Sequence, residues 1–125
     1  MLHKLVWLAL FGACGTLARY GLAGIVQRSA GSAFPVGTFT VNITGCFLFG
    51  LIWTLSQDRL AISSEVRTIA LTGFMGAFTT FSTFMFETDQ MLEQSQWFMA
   101  GLNVVLQLAI GLLAYVLGCA LGRIF

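Results

Sequence analysis

Three stretches of this chain contain no Asp, Glu, Lys or Arg: residues 29–57, 68–86 and 94–122, uncharged windows of 29, 19 and 29 residues. A fourth stretch, residues 5–27, contains only Arg19. A helix crosses the bilayer core with about 20 predominantly apolar residues, so each stretch is long enough to span. Four such spans use about 80 of the chain's 125 residues, leaving short connections and no room for an extramembrane domain. Charged residues make up 9% of the chain and the hydrophobic set 58%. A water-soluble domain so poor in charge would expose apolar patches beyond the few hundred Å² that monomers tolerate, which excludes soluble enzyme folds. The expected architecture is an all-α integral membrane protein, with one transmembrane domain over residues 1–125.

The spans are expected at residues 5–26, 37–55, 66–86 and 97–122. Residues 27–33 read as a polar turn, after which Pro35, the only proline, signals a helix start. Residues 56–65 and 87–96 form the remaining loops. The third span holds Gly73, Gly76 and the run Thr79-Thr80-Phe81-Ser82-Thr83-Phe84. Glycines followed by hydroxyl-rich, β-branched sequence predict a helix broken near mid-membrane. Trp7 with Trp53, and Tyr20 with Trp97, fall near opposite ends of this up-down arrangement, as interfacial aromatics should. Lys4, Arg59, Arg67 and Arg123 lie on the side of the termini against Arg28 alone on the other, a bias that favours cytoplasmic termini. No internal repeat is visible, so an inverted pair of units has to come from two copies of the chain.

Several chemistries drop out early. No basic run longer than two residues occurs, which removes nucleic acid as a partner. Cys14, Cys46 and Cys119 lie within spans without CxxC spacing and read as small buried apolar residues. The basic start with Cys14 faintly resembles a lipoprotein signal, but the apolar run continues past the cysteine. The sole histidine is His3, no acid lies in the middle of a span, and no Ser, Cys or Thr has a base within reach. A catalytic constellation is therefore absent.

Polar groups inside apolar spans are costly and need partners, which makes them the informative positions. Thr38, Asn42 and Gly45 recur at i, i+4 and i+7 and share one face of the second span. That stripe reads either as interhelical glue or as the lining of a path. In the third span Phe78, Phe81 and Phe84 form one row if the backbone is helical, with the hydroxyls bonded back to their own carbonyls. A broken helix instead exposes carbonyls that protein, water or a cation must satisfy, and two such breaks at an interface offer a cage for a monovalent cation. Arg19 has no acid at matching depth and is expected to line a water-filled vestibule that draws anions, or to snorkel. Asn103 and Gln107 share a face of the fourth span, and Glu87 closes the third; taken singly, all three read as packing or end-of-helix residues.

The segments Gly37-Thr38-Phe39-Thr40-Val41-Asn42-Ile43-Thr44-Gly45, Gly73 to Phe84, and Gly12-Ala13-Cys14-Gly15 leading to Arg19-Tyr20 together resemble the Fluc/CrcB fluoride channels over the whole chain. That resemblance implies a passive, fluoride-selective channel of the cell inner membrane, built as an antiparallel, dual-topology homodimer with two pores. It implies a pore lined by Asn42, Phe81 and Phe84, with Ser82, Thr83 and Thr38 beside the path and Arg19 at the vestibule. Gly76 and Thr79 would give backbone carbonyls to a structural sodium ion at the dimer interface. Glu87, Asn103 and Gln107 are candidates for a gate or polar track, Gln107 standing where the family often carries a serine. Two other readings compete. A proton-coupled small multidrug-type transporter needs a carboxylate at mid-membrane, where the first span has only Arg19. A non-transporting membrane assembly subunit would use the polar stripe as glue.

Overall fold

The computed structural model describes residues 1–58 and 62–124. Its elements run α1 (Leu2–Ala30), α2 (Val36–Asp58), α3 (residues 64–78), α4 (Phe81–Glu93) and α5 (Trp97–Ile124). Among the described residues, four helical stretches are long and apolar enough to cross a membrane: Leu2–Ala30, Val36–Gln57, Ser64–Glu93 and Trp97–Ile124. Arg59, counted above toward the charge bias, lies outside the described residues.

The helices outrun the expected spans because their ends are held by side chains. At the end of α1, Gly31 takes a left-handed φ of 56° and its N–H reaches Gln27 O, a conformation that costs glycine little. Gln27 then ties the turn together: its Nε2 donates to Ser32 O (2.7 Å) and Phe34 O (3.1 Å), and its Oε1 accepts from Gly37 N (3.0 Å). Ser63 caps α3 by accepting from Val66 N at 3.3 Å, which starts the third helix before Val66. Residues 87–93, expected as loop, continue α4 to Glu93. Phe84, Thr88 and Met91 are its buried residues, a helical spacing that anchors the extra turns. Glu87 therefore sits within a helix rather than at its end.

Within α3 the turn Ser64–Thr68 gives way to a π-helical stretch, Ile69–Met75, before a last α-helical turn, Gly76–Phe78. The wide stretch buries Ile69, Leu71, Gly73 and Met75, covering it from two sides, by α1 and by α2. Val41, Leu71, Met75 and Phe78 form the core, with Leu22, Leu48, Phe49 and Phe74 packed around it. Against α1 the approach is set by Gly15, where a Cβ would collide with Phe74 O.

The longest interface joins α2 to α5. It is a backbone-to-backbone contact made by glycines on both helices: a Cβ at Gly50 would strike Tyr115 O, and one at Gly118 would strike Phe47 O. Small residues serve this purpose in membranes, where apolar burial alone does not drive helices together. Bulky side chains left uncovered by the chain, among them Leu17, Tyr20, Val105, Leu112 and Leu113, lie outside this packing. Replacing Gly118 by leucine is expected to force α2 and α5 apart and to destabilise the fold by about 2 kcal/mol. A lowered midpoint of thermal unfolding in detergent micelles would report it.

Candidate functional site

The helical ladder stops at Phe78. Thr79 (φ −83°, ψ 157°) and Thr80 (φ −146°, ψ 110°) are extended, and α4 begins at Phe81. Thr80 serves as its N-cap, the side chain accepting from Thr83 N at 3.2 Å while Thr80 Oγ1 donates to Thr83 Oγ1 at 2.9 Å. Two extended residues leave backbone groups with no helical partner, and at low dielectric those groups have to be satisfied. Asn42 on α2 does so: its Oδ1 accepts from Thr80 N (2.8 Å) and its Nδ2 donates to Thr80 O (3.1 Å). The side-chain amide thus pairs with Thr80 as one strand residue pairs with another. One turn on, Gly45 lets Thr79 close in, since a Cβ there would collide with Thr79 Cγ2. One turn back, Thr38 Oγ1 donates to Glu87 Oε1 at 2.6 Å. The Thr38, Asn42, Gly45 stripe faces the interruption along its whole length.

A relay of amides extends from Asn42 into α5. Asn42 Nδ2 also donates to Gln107 Oε1 (2.8 Å), Gln107 Nε2 points at Asn103 Oδ1 (3.4 Å), Asn103 Nδ2 donates to Thr88 Oγ1 (2.9 Å), and Thr88 Oγ1 donates to Phe84 O (2.7 Å). Asn103 is 0% exposed and Gln107 7%. Taken singly, both read as packing residues; the structure connects them to Asn42. Thr88 is not a candidate from the sequence alone, because its segment reads as a loop. Its spacing of four from Phe84, with Met91 three further on, was the available signal.

Two half-open cavities flank the interruption and share Thr80. The smaller, about 300 Å³, is lined by Asn42, Thr79, Phe81, Phe84, Gln107 and Tyr115 among others, with no charged side chain. Phe81 and Phe84 meet edge to face there, centroids 5.6 Å apart at 71°. Phe84 is 3% exposed, whereas Phe81 is 68% exposed. The larger, about 530 Å³, is lined by Arg19, Thr38, Thr83, Glu87, Gln27 and Gln90 among others. The candidates thus divide, Thr38 and Thr83 falling in the charged cavity and Asn42 with the two rings in the neutral one. Ser82 is exposed and lines neither. Phe78 does not continue the ring row: it is buried and stacks on Phe74 at 5.9 Å, because the extended pair turns α4 away from α3.

Arg19 has a partner that an inventory of acids could not reveal. Its Nε donates to Ala77 O at 3.1 Å, a carbonyl in the last turn of α3 that has lost its helical donor. A cation at a helix C-terminus is favourably placed. Glu87 Oε2 is buried without a hydrogen-bond partner. Among the described residues no three His, Cys, Asp or Glu gather as a metal site. The oxygens on offer to a cation are the carbonyls where α3 ends, around the uncovered Gly76 and the half-buried Thr79.

The family described as CrcB-like protein, Camphor Resistance (CrcB), matches residues 6–119. The chain belongs to this family. Three relatives carry the name Fluoride-specific ion channel FluC. The one from Nitrosococcus oceani is 53% identical over 124 residues, covering 99% of each chain. That from Desulforapulum autotrophicum is also 53% identical, with 99% of each chain covered. That from Nitratidesulfovibrio vulgaris (Miyazaki F) is 50% identical over 98% of this chain and 99% of its own. The resemblance drawn from the motifs thus holds over the full length, and this CrcB-like chain is a multi-pass membrane protein.

The pairing of Asn42 with Thr80 makes a local prediction. Leucine at position 42 removes the side chain that serves the part-buried Thr80 N–H, and leaving such a donor unserved costs about 1 kcal/mol or more. Asn42→Leu is therefore expected to speed hydrogen–deuterium exchange at the Thr80 amide by about tenfold or more, with exchange in α5 unchanged.

Proposed function

We propose that this protein is a passive, fluoride-selective ion channel. The observation that carries the reading is the small uncharged cavity that Asn42 lines together with the edge-to-face pair Phe81 and Phe84, in a chain that matches fluoride-specific channels end to end. Fluoride is small and strongly hydrated, and leaving water is prohibitive unless donors replace its hydration shell. Asn42 N–H is such a donor. Ring edges carry the positive side of the phenyl quadrupole, so Phe81 and Phe84 contact an anion edge-on without a formal charge that would trap it. A narrow site with few, closely placed donors favours fluoride over chloride, whose size and weaker donor demand it does not match.

In this reading the 530 Å³ cavity is the vestibule. Arg19 raises the local concentration of anions there, and Thr38 and Thr83 add hydroxyls on the way to Thr80, the residue both cavities share. Fluoride that enters cells as HF dissociates and accumulates. In the inner membrane the potential then drives it out with about 2.3 kcal/mol per charge per 100 mV. No bond is made or broken, so the protein acts as a conduit and not as an enzyme.

The reading extends to assembly. Two antiparallel copies, inserted in both orientations, would bring two interruptions of the third helix together near mid-membrane. The uncovered ring of Phe81 leaves a surface for a second protomer. The carbonyls of Gly76 and Thr79 suit a sodium ion there. Thr80 N–H serves Asn42 instead of turning back to Gly76, and Arg19 occupies the intervening Ala77 carbonyl, so Gly76 O stands free of both. Neutral carbonyl oxygens match a hard monovalent cation, which when bound supplies the positive charge that holds the two copies together.

Liposomes loaded with fluoride test the function. Efflux is expected to need only a potassium shunt, and Asn42→Ala is expected to cut it about a hundredfold or more, the loss of a donor to a charged ligand compounded by loss of the Thr80 pairing, with the dimer intact. Efflux that depends on a proton gradient, or that survives Asn42→Ala, would overturn the reading. For assembly, exchanging sodium for choline or lithium is expected to shift the protein from dimer toward monomer in sedimentation, and an unmoved distribution removes the sodium.

A further inference from the structure

Asn42 has two N–H donors, and both are engaged, one by Thr80 O and one by Gln107 Oε1. An anion beside Asn42 has to take the second from Gln107. The orientation of Asn42 cannot adjust to help. Thr80 N–H can only donate, so Asn42 Oδ1 is fixed toward Thr80 and Nδ2 toward the cavity. That polarity propagates: Gln107 turns its oxygen to Asn42 and its Nε2 to Asn103, Asn103 turns its Nδ2 to Thr88, and Thr88 donates onward to Phe84 O. Left in this state, an arriving anion would face the carbonyl oxygen of Gln107, which repels it.

We propose that Gln107 is a second amide donor to the permeating anion, turned toward it by concerted reversal of the hydrogen bonds through Asn103 and Thr88. The proposal rests on the channel reading above and adds a residue to it. A half turn about the terminal torsion of Gln107, which is broad and two-fold, exchanges its oxygen for Nε2 on the cavity side. Its oxygen then meets Asn103 Oδ1 unless Asn103 also turns, giving Asn103 Nδ2 to Gln107 Oε1 and presenting Oδ1 to Thr88. The hydroxyl of Thr88 both donates and accepts, so it rotates from Phe84 O to Asn103 Oδ1. Phe84 O loses nothing essential, because it lies within α4, where the helical ladder serves it. With the anion between Asn42 and Gln107 every donor again has an acceptor, so the reversed arrangement is reached only when the anion replaces the acceptor that Gln107 Oε1 has withdrawn. Thr88 and Asn103 line neither cavity; they are positioning residues that act through Gln107.

The longest bond of the relay agrees with this role. Gln107 to Asn103 spans 3.4 Å, against 2.7 to 2.9 Å for its neighbours, so reversal begins where least is lost.

The test uses the full chain in liposomes with side-chain amides labelled with ¹⁵N, compared in sodium fluoride and sodium chloride by solid-state NMR. Fluoride is expected to shift the side-chain signals of Asn42, Gln107 and Asn103 together, and to place ¹⁹F close to the nitrogens of Asn42 and Gln107. Thr88→Val, which keeps shape and removes the hydroxyl, is expected to abolish the Asn103 response and to slow fluoride efflux about tenfold, with Thr88→Ser restoring both. A shift confined to Asn42 while efflux persists would overturn the reversal and leave the channel standing. No response at Asn42 together with no efflux would remove the channel reading, and this proposal with it. The spectra of the native chain decide the matter even where Thr88→Val fails to fold.

Discussion

Two hydrogen bonds between the side chain of Asn42 and the backbone of Thr80 hold the conformation from which the other features of the site derive. Within a bilayer an extended backbone is tolerated only where protein or a water-filled cavity satisfies it. A carboxamide supplies one donor face and one acceptor in a plane, as a peptide does, so it can stand in for a neighbouring strand. With Thr80 held extended, α4 leaves at an angle that points Phe81 and Phe84 into the small cavity and keeps Phe78 in the core. The last carbonyls of α3 are released at the same stroke, one of them to Arg19.

The precision of that pairing depends in turn on how α2 is held. Its polar stripe faces α3 and α4, while Gly50 lies against the backbone of α5 through Tyr115 O. Glycine-mediated contact of this kind leaves little freedom to roll or slide, since main-chain atoms meet main-chain atoms. Asn42 is thus carried by a helix that is fixed on one side by packing and reads the interruption on the other. Gly45 belongs to both tasks: it sits on the stripe and makes room for Thr79.

Much of this was legible from residue order alone, and the reasons differ by feature. The uncharged windows gave the four spans because insertion depends on length and hydropathy, which are additive along the chain. Between Gly73 and Phe84, Thr79 and Thr80 are the residues with extended backbone. Helix lengths were less legible: residues 87–93 carry Glu, Asp and Gln and look like a loop, yet Phe84, Thr88 and Met91 bury one face and keep the helix going. The π-helical stretch Ile69–Met75 has no composition signature. The partner of Arg19 was hidden because it is a carbonyl, and main-chain acceptors have no letter in the sequence. Asn103 and Gln107 looked like glue one at a time; their meaning came from Thr88 and Asn42, residues far away in order that only the packing of α5 brings near.

The distribution of charge follows one rule across the two cavities. Full charges, Arg19 and Glu87, border the larger one, whereas the smaller has only dipoles and ring edges. A unit charge about 4 Å from a small anion at an effective dielectric near 20 interacts by about 4 kcal/mol, which would hold the ion or bar it, depending on sign. Amide and phenyl dipoles give smaller, short-ranged attractions that add only when several converge. Convergence requires fixed geometry, and fixed geometry is what the pairing of Asn42 with Thr80 and the close approach at Gly45 provide. The full charges therefore border the larger cavity and the neutral donors the smaller one, a division that suits the channel proposed above.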